Sequence, residues 1–211
     1  FAEVLGPETF ARGRAIADEL ERRPPAGLRE YVPGFTTVLL EFVPGALRDA
    51  EEELVRLTSR LRRATPPDPR RAGVKDIPVV YDGPDLARVA EANGLTEADV
   101  VRLHSSRIYH VYLLGFSPGF PYLGELDPRL HTPRLPAPRP RVPAGAVAIG
   151  GEHTGIYSVD SPGGWNIIGR TSVRLFDPTR ARGGNDEAMF HFRAGDQVRF
   201  VPAHPGGAPR G

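Results

Sequence analysis

Tyr109-His110-Val111-Tyr112-Leu113-Leu114-Gly115-Phe116 concentrates aromatic and aliphatic side chains in a short run that breaks at a glycine, the pattern of a buried strand. Ala146 to Ile149, Gly155 to Val159, Val173 to Phe176 and Gln197 to Val201 are further short apolar runs, separated by Gly, Pro, Asp and Asn. Several strands punctuated in this way predict a β-barrel or sandwich. Between the first two runs, Ser117 to Ala144 is proline-rich and has no regular period. It is expected to form a long ordered loop system wrapped over the barrel.

Upstream of that stretch, Thr96 caps a helix that runs toward His104, with Asp99 placed to complete a capping-box-like pair. Leu86 to Asn93 precedes it, and Ile77-Pro78-Val79-Val80-Tyr81 reads as an edge strand because proline cannot donate to a ladder. Nearer the N-terminus the character changes. Phe10, Gly13, Ile16, Ala17 and Leu20 share one side of a helix that Pro24-Pro25 ends. Pro33-Gly34 turns between two strand-like runs, the second over Phe35 to Val43, and Leu47, Ala50, Leu54, Leu57 and Leu61 line a stripe of a second helix. Helix, hairpin, helix predicts a small α+β sandwich over residues 1–73. The proline-rich segment 64–71 reads as a linker, with the barrel over 74–211. Because the chain begins at Phe1, a first strand is expected upstream of it.

With 24 glycines and 23 prolines but 40% hydrophobic and 25% charged residues, the composition is that of a globular protein. A formal net charge of +1 gives no field that favours nucleic acid or an anionic membrane. No apolar run approaches a membrane span and the N-terminus lacks a signal pattern, so a soluble, cytoplasmic protein is expected. The absence of cysteine excludes disulfides, thiolate catalysis and Cys-ligated metals. Lys75 is the sole lysine, so no Walker-type Gly-Lys pair or biotin-bearing lysine motif can be assembled. If ATP or biotin takes part, another chain must hold it.

Gly115-Phe116-Ser117-Pro118-Gly119 matches the Gly-x-Ser-x-Gly nucleophile elbow, but no helix can follow through Pro121, so an aromatic turn is the better reading. The six histidines all follow residue 100 and none has a metal-ligand spacing, so no metal site is expected. His104 suits the negative end of its helix or a cleft. From Pro128 to Gly151 there is no acid, while Arg129, His131, Arg134, Arg139 and Arg141 are present. Guanidinium forks suit carboxylates and phosphates. Asp160-Ser161-Pro162-Gly163-Gly164-Trp165-Asn166 adds a hydroxyl, a glycine pair able to form an amide nest, and the sole tryptophan. Arg139 and Arg141, with Ser161, Gly163, Gly164 and Arg170, are therefore the candidate anion-binding residues. His104, Phe116, Pro118, Phe120, Tyr122, Tyr157 and Trp165 are expected to line a cleft or partner interface, the alternative for the aromatics being a barrel plug.

Gly115-Phe-Ser-Pro-Gly-Phe-Pro-Tyr-Leu-Gly124, Thr132-Pro-Arg134, Arg139-Pro-Arg-Val-Pro-Ala-Gly145, Thr154-Gly-Ile-Tyr157, Asp160-Ser-Pro-Gly-Gly-Trp165 and Ile168-Gly-Arg-Thr171 together resemble the KipI-type family. That family comprises the B component of bacterial 5-oxoprolinase, also called allophanate hydrolase subunit 1 or the C component of a carboxyltransferase domain. The resemblance implies an α+β protein with a ferredoxin-like N-terminal domain and a cyclophilin-like β-barrel. It implies a non-autonomous subunit of an ATP-dependent enzyme that opens the lactam of 5-oxoproline to glutamate. The partners would be a larger carboxyltransferase-like C component and a separate A component, which would largely hold the ATP. A urea amidolyase or allophanate role, and inhibition of a sensor histidine kinase by protein contact, are the alternatives within the family.

Overall fold

A computed structural model of the chain describes residues 7–34, 36–47, 49–65, 73–181 and 186–204 and divides into two compact units, residues 1–71 and 72–211. Phe1, Phe35 and most of the expected linker lie outside the described residues.

In the first unit, α1 (Pro7–Arg22) and α2 (Ala50–Arg62) accompany an antiparallel hairpin of β1 (Leu28–Pro33) and β2 (Val38–Phe42). Period-two alternation puts Val38, Leu40 and Phe42 on the hairpin face that packs with Ile16, Leu20 and Leu57. Arg12 donates to the carbonyls of Leu61 at 2.9 Å and Ala64 at 2.8 Å, satisfying acceptors that the end of α2 leaves open. Leu54, expected in the buried stripe, is 42% exposed.

The second unit contains β3 (Val74–Val79), α3 (Leu86–Ala92), α4 (Glu97–Ser105), β4 (Ile108–Leu114), β5 (Pro121–Gly124), β6 (Arg139–Val142), β7 (Ala146–Gly150), β8 (His153–Ile156), β9 (Ser161–Gly163), β10 (Asn166–Arg170) and β11 (Gln197–Pro202). Seven of these form one sheet in the order β10-β7-β8-β5-β4-β11-β3, and β6 pairs with β9 separately. Within the sheet all pairs are antiparallel except β11 with β3. Beyond β3, Val80 exchanges two backbone hydrogen bonds of 2.9 Å with Arg170 at the end of β10. The two ends of the sheet thus meet, giving the α+β, barrel-like fold that the apolar runs predict.

That meeting depends on glycine at two places. A Cβ on Gly83 would stand 2.3 Å from the carbonyl oxygen of Ile167, and one on Gly169 would stand 2.6 Å from that of Val80. Both clashes are with backbone, which cannot turn aside. Inside the barrel, Val79, Val111, Leu123, Val147, Ile149 and Val198 are fully buried and pack with Val89, Val100 and Leu103 of the two helices. Thr96 and Asp99 complete the capping box of α4.

Two expectations fail. The segment after Ser117 is not loop throughout: β5 pairs with β4 on one side and β8 on the other. Pro121 is tolerated because it occupies the first strand position. Val173–Phe176 makes no strand, only an isolated bridge from Phe176 to Phe190.

His104 lies wholly inside this unit. Thr154 Oγ1 donates to the carbonyl of Ala148 at 3.0 Å, so it accepts from His104 Nε2 at 2.8 Å, and Nδ1 accepts from the Tyr81 hydroxyl at 2.8 Å. The ring also stacks on Phe200, with centroids 4.4 Å apart. Burial pushes the imidazole pKa from 6.5 down to about 3. His104 is a core residue and lines no cleft, because every polar atom of its ring is turned inward.

A depressed histidine pKa means that the unfolded chain binds the extra proton first. The contribution of neutral His104 is intact above pH 6.5 and is lost as pH falls from 6.5 toward 3, at about 1.4 kcal/mol per pH unit. Between pH 7.5 and 4.5, urea titrations followed by Trp165 fluorescence should show His104→Gln losing about 2–3 kcal/mol less stability than wild type. Equal losses would contradict the assignment.

Candidate functional site

Strand β7 is buried on both faces. Val147 and Ile149 point into the barrel, whereas Ala146 and Ala148 belong to a second apolar cluster with Phe120, Val142, Tyr157, Trp165 and Ile167. Gly150 and Gly155 leave the floor of this cluster bare. A Cβ on Gly150 would sit 2.5 Å from the indole of Trp165, and one on Gly155 would lie 3.0 Å from the ring of Phe120. Phe120 is the hub: its centroid lies 5.1 Å from Tyr122, 5.3 Å from Tyr157, 5.4 Å from Trp165 and 5.5 Å from Phe116, all edge to face.

Phe120, Tyr157 and Trp165 are therefore packed interior, the plug alternative of the sequence reading, and Tyr122 is half-buried. Phe116 differs. It is 62% exposed and holds a φ of 68°, a left-handed conformation that costs an aromatic residue about 1 kcal/mol or more. The Phe120 amide donates to the Ser117 carbonyl and the Gly115 amide to the Phe120 carbonyl, so a closed turn enforces that strain, with Pro118 exposed at its tip. Ser117 is no nucleophile elbow. A loop and β5 follow it, and its hydroxyl meets that of Ser158 at 3.3 Å.

The arginines of the loop are largely neutralised. Arg139 Nη2 donates to Asp85 Oδ1 at 2.7 Å, and the other Asp85 oxygen accepts the amide of Ile167 at 2.7 Å. Asp85 is almost fully buried, so this pair is part of the barrel seam. Arg141 is tied to Asp160 at 2.5 Å and Arg170 to Asp82 at 2.9 Å, both on the surface. An open anion pocket built on Arg139, Arg141 and Arg170 is thus not what these side chains form, because each guanidinium already holds a carboxylate. The glycine pair makes no nest either: neither Gly163 nor Gly164 is left-handed. A Cβ on Gly163 would stand 2.1 Å from the Tyr157 hydroxyl, so close packing explains that glycine. The Ser161 hydroxyl is buried without a hydrogen-bond partner.

Asp85, Arg88 and Asn166 matter more than the sequence suggested. Gly83-Pro84-Asp85 before a helix reads as an N-cap, yet the Asp85 side chain makes no cap bond. Asn166, fully buried, donates to the carbonyls of Pro133 at 3.0 Å and Ile149 at 3.1 Å, and accepts from Arg88 Nε at 3.0 Å. Arg134 lies over the Trp165 ring, 5.7 Å from its centroid. Among the described residues no cluster of His, Asp or Glu could hold a metal, and no helix is long and apolar enough to cross a membrane.

Residues 1–183 match the family described as Carboxyltransferase domain, subdomain C and D. The chain is 50% identical to the B component of 5-oxoprolinase from Escherichia coli O157:H7, over 97% of this chain and 92% of that one. It is 35% identical to the B component of 5-oxoprolinase from Bacillus subtilis (strain 168), over 95% of this chain and 86% of that one. The crystal structure of Kluyveromyces lactis urea carboxylase shares the fold, with a TM-score of 0.78 at 22% identity over 97% of this chain and 20% of that one.

Removing one partner of a buried ion pair leaves the other charge unsolvated. Asp85→Ala should therefore destabilise the second unit by about 3 kcal/mol, read by urea titration. Asp160→Ala, which breaks the exposed pair, should leave the midpoint nearly unchanged. Equal effects of the two substitutions would contradict the seam role of Asp85.

Proposed function

The chain belongs to the carboxyltransferase domain, subdomain C and D, family, and on that premise we propose that it is the B component of a 5-oxoprolinase. The observation that carries this reading is the 50% identity to such a component across nearly the whole of both chains, since a match of that extent runs through both units. In the reaction, water adds to the lactam carbonyl of 5-oxoproline, the ring C–N bond breaks, and the nitrogen leaves as the amine of glutamate, driven by ATP hydrolysis.

This chain offers no P-loop for a triphosphate. Its one lysine, Lys75, is held by Asp196 at 2.7 Å and by the carbonyl of His191 at 2.7 Å, and the sequence has no Gly-Lys loop to cradle phosphates. ATP belongs with the partners, a larger carboxyltransferase-like C component and a separate A component, and the protein works in the cytoplasm. The strained, exposed Phe116 is the aromatic best placed to meet a partner, because a rigid turn presents it at no further entropic cost. A urea-directed role has weaker support: fungal urea carboxylase and urea amidolyases are 32%, 36% and 33% identical over only 53% to 54% of this chain.

The test is glutamate release from 5-oxoproline. The purified chain with ATP should release none, and the chain reconstituted with its two partners should release it in an ATP-dependent way. Phe116→Ala should raise the partner concentration needed for half-maximal activity about tenfold, the loss of one interface anchor. Turnover by the chain alone, or no turnover by the complete assembly, would overturn the proposal.

A further inference from the structure

The charges of α2 in the first unit fall into two groups. Glu52 pairs with Arg56 at 2.5 Å, and Arg60 lies 3.6 Å from Glu19, a carboxylate that also receives Arg22. Glu51 and Arg62 differ. Both are exposed, and among the described residues neither has an opposite charge within salt-bridge distance.

These two charges mark the ends of one stripe. Glu51, Leu54, Val55, Thr58 and Arg62 stand at i, i+3, i+4, i+7 and i+11, so they share one face of the helix. Leu57 and Leu61 of the same helix face the core of the unit. The stripe faces solvent: Leu54 is 42% and Val55 61% exposed, and Glu51, Thr58 and Arg62 are exposed with them. An acid at the N-terminal end, apolar side chains in the middle and a base at the C-terminal end make a pattern complementary to its own reverse. A two-fold axis supplies that reversal, because residue i of one chain then meets residue j of the other and j meets i.

We infer that α2 is a self-association surface on which a second copy of this chain docks. The two copies pair the helix antiparallel across a two-fold axis, with Leu54, Val55 and Thr58 at the centre and Glu51 of each copy against Arg62 of the other. A parallel pairing would set Glu51 against Glu51 and Arg62 against Arg62, which like-charge repulsion opposes. A helix of 13 residues is about 20 Å long, so the contact is small and the dimer is weak and concentration-dependent. This inference stands apart from the 5-oxoprolinase reading.

The test is sedimentation equilibrium of the full chain from micromolar to near-millimolar concentration, where the average mass should rise from that of one chain toward that of two. Val55→Glu should weaken association at least about tenfold, the loss of a central apolar contact. Glu51→Arg and Arg62→Glu each bring like charges together at both ends of the dimer, and each should weaken it about tenfold. Both reversals also oppose the helix dipole, so their mixture is the deciding arm. Glu51→Arg chains pair with Arg62→Glu chains through two restored ion pairs, and an equimolar mixture should associate about as tightly as wild type. Circular dichroism checks that each variant keeps its helices. A chain monomeric throughout, as a stripe reserved for a different protein would leave it, would overturn the inference. So would a dimer that Val55→Glu and both reversals leave intact, or a mixture that associates no more tightly than either single variant.

Discussion

Two backbone hydrogen bonds between Val80 and Arg170 join the ends of a seven-stranded sheet, and the rest of the second unit is arranged to keep that seam shut. An open sheet would leave the amides and carbonyls of β3 and β10 unpaired beside a dry core, at about 1–3 kcal/mol for each buried group. The chain extends the seam beyond the two strands: Gly83 donates to the carbonyl of Ile168, and Asp85 bonds to Ile167 through both its backbone and its carboxylate. Arg139 then neutralises Asp85, which draws β6 and the loop before it onto the barrel. Asparagine at 166 performs the same service one residue earlier, holding Ile149, Pro133 and Arg88 together.

The distribution of charge follows from that arrangement. A run from Pro128 to Gly151 without an acid looks like a cationic patch when read along the chain, yet in space Arg139 and Arg141 meet carboxylates from distant segments and Arg129 meets Asp127 just before the run. Asp85 and Arg139 are 54 residues apart, and Asp160 and Arg141 are 19 apart. Arg134 is the member of that run left over a ring instead of a carboxylate.

Much of the fold was legible because its signals are local. The capping pair Thr96–Asp99 and the apolar periodicity of α1 act within a few residues and survive unchanged in the structure. Strand β5 was not legible: Pro121 and Gly124 disguise it, and it exists because β4 and β8 each offer it a ladder. Site residues suffered most. Gly163 reads as a nest but is small because the Tyr157 hydroxyl packs on it, and Phe120 and Trp165 read as surface because turn residues flank them. His104 reads as a helix terminus, yet its ring is folded inward onto Phe200. Each depends on a contact with residues far along the chain, which no spacing rule reports.

Native-state hydrogen exchange of the backbone tests the seam most directly. If closure organises the second unit, the amides of Val80, Asp85, Ile167 and Arg170 will exchange only through global unfolding, as slowly as those of the central strands β4 and β8. Exchange at those four positions faster by a factor of about 100 or more, equivalent to a local opening about 2.7 kcal/mol easier than unfolding, would show that the sheet closes only loosely and does not organise the second unit.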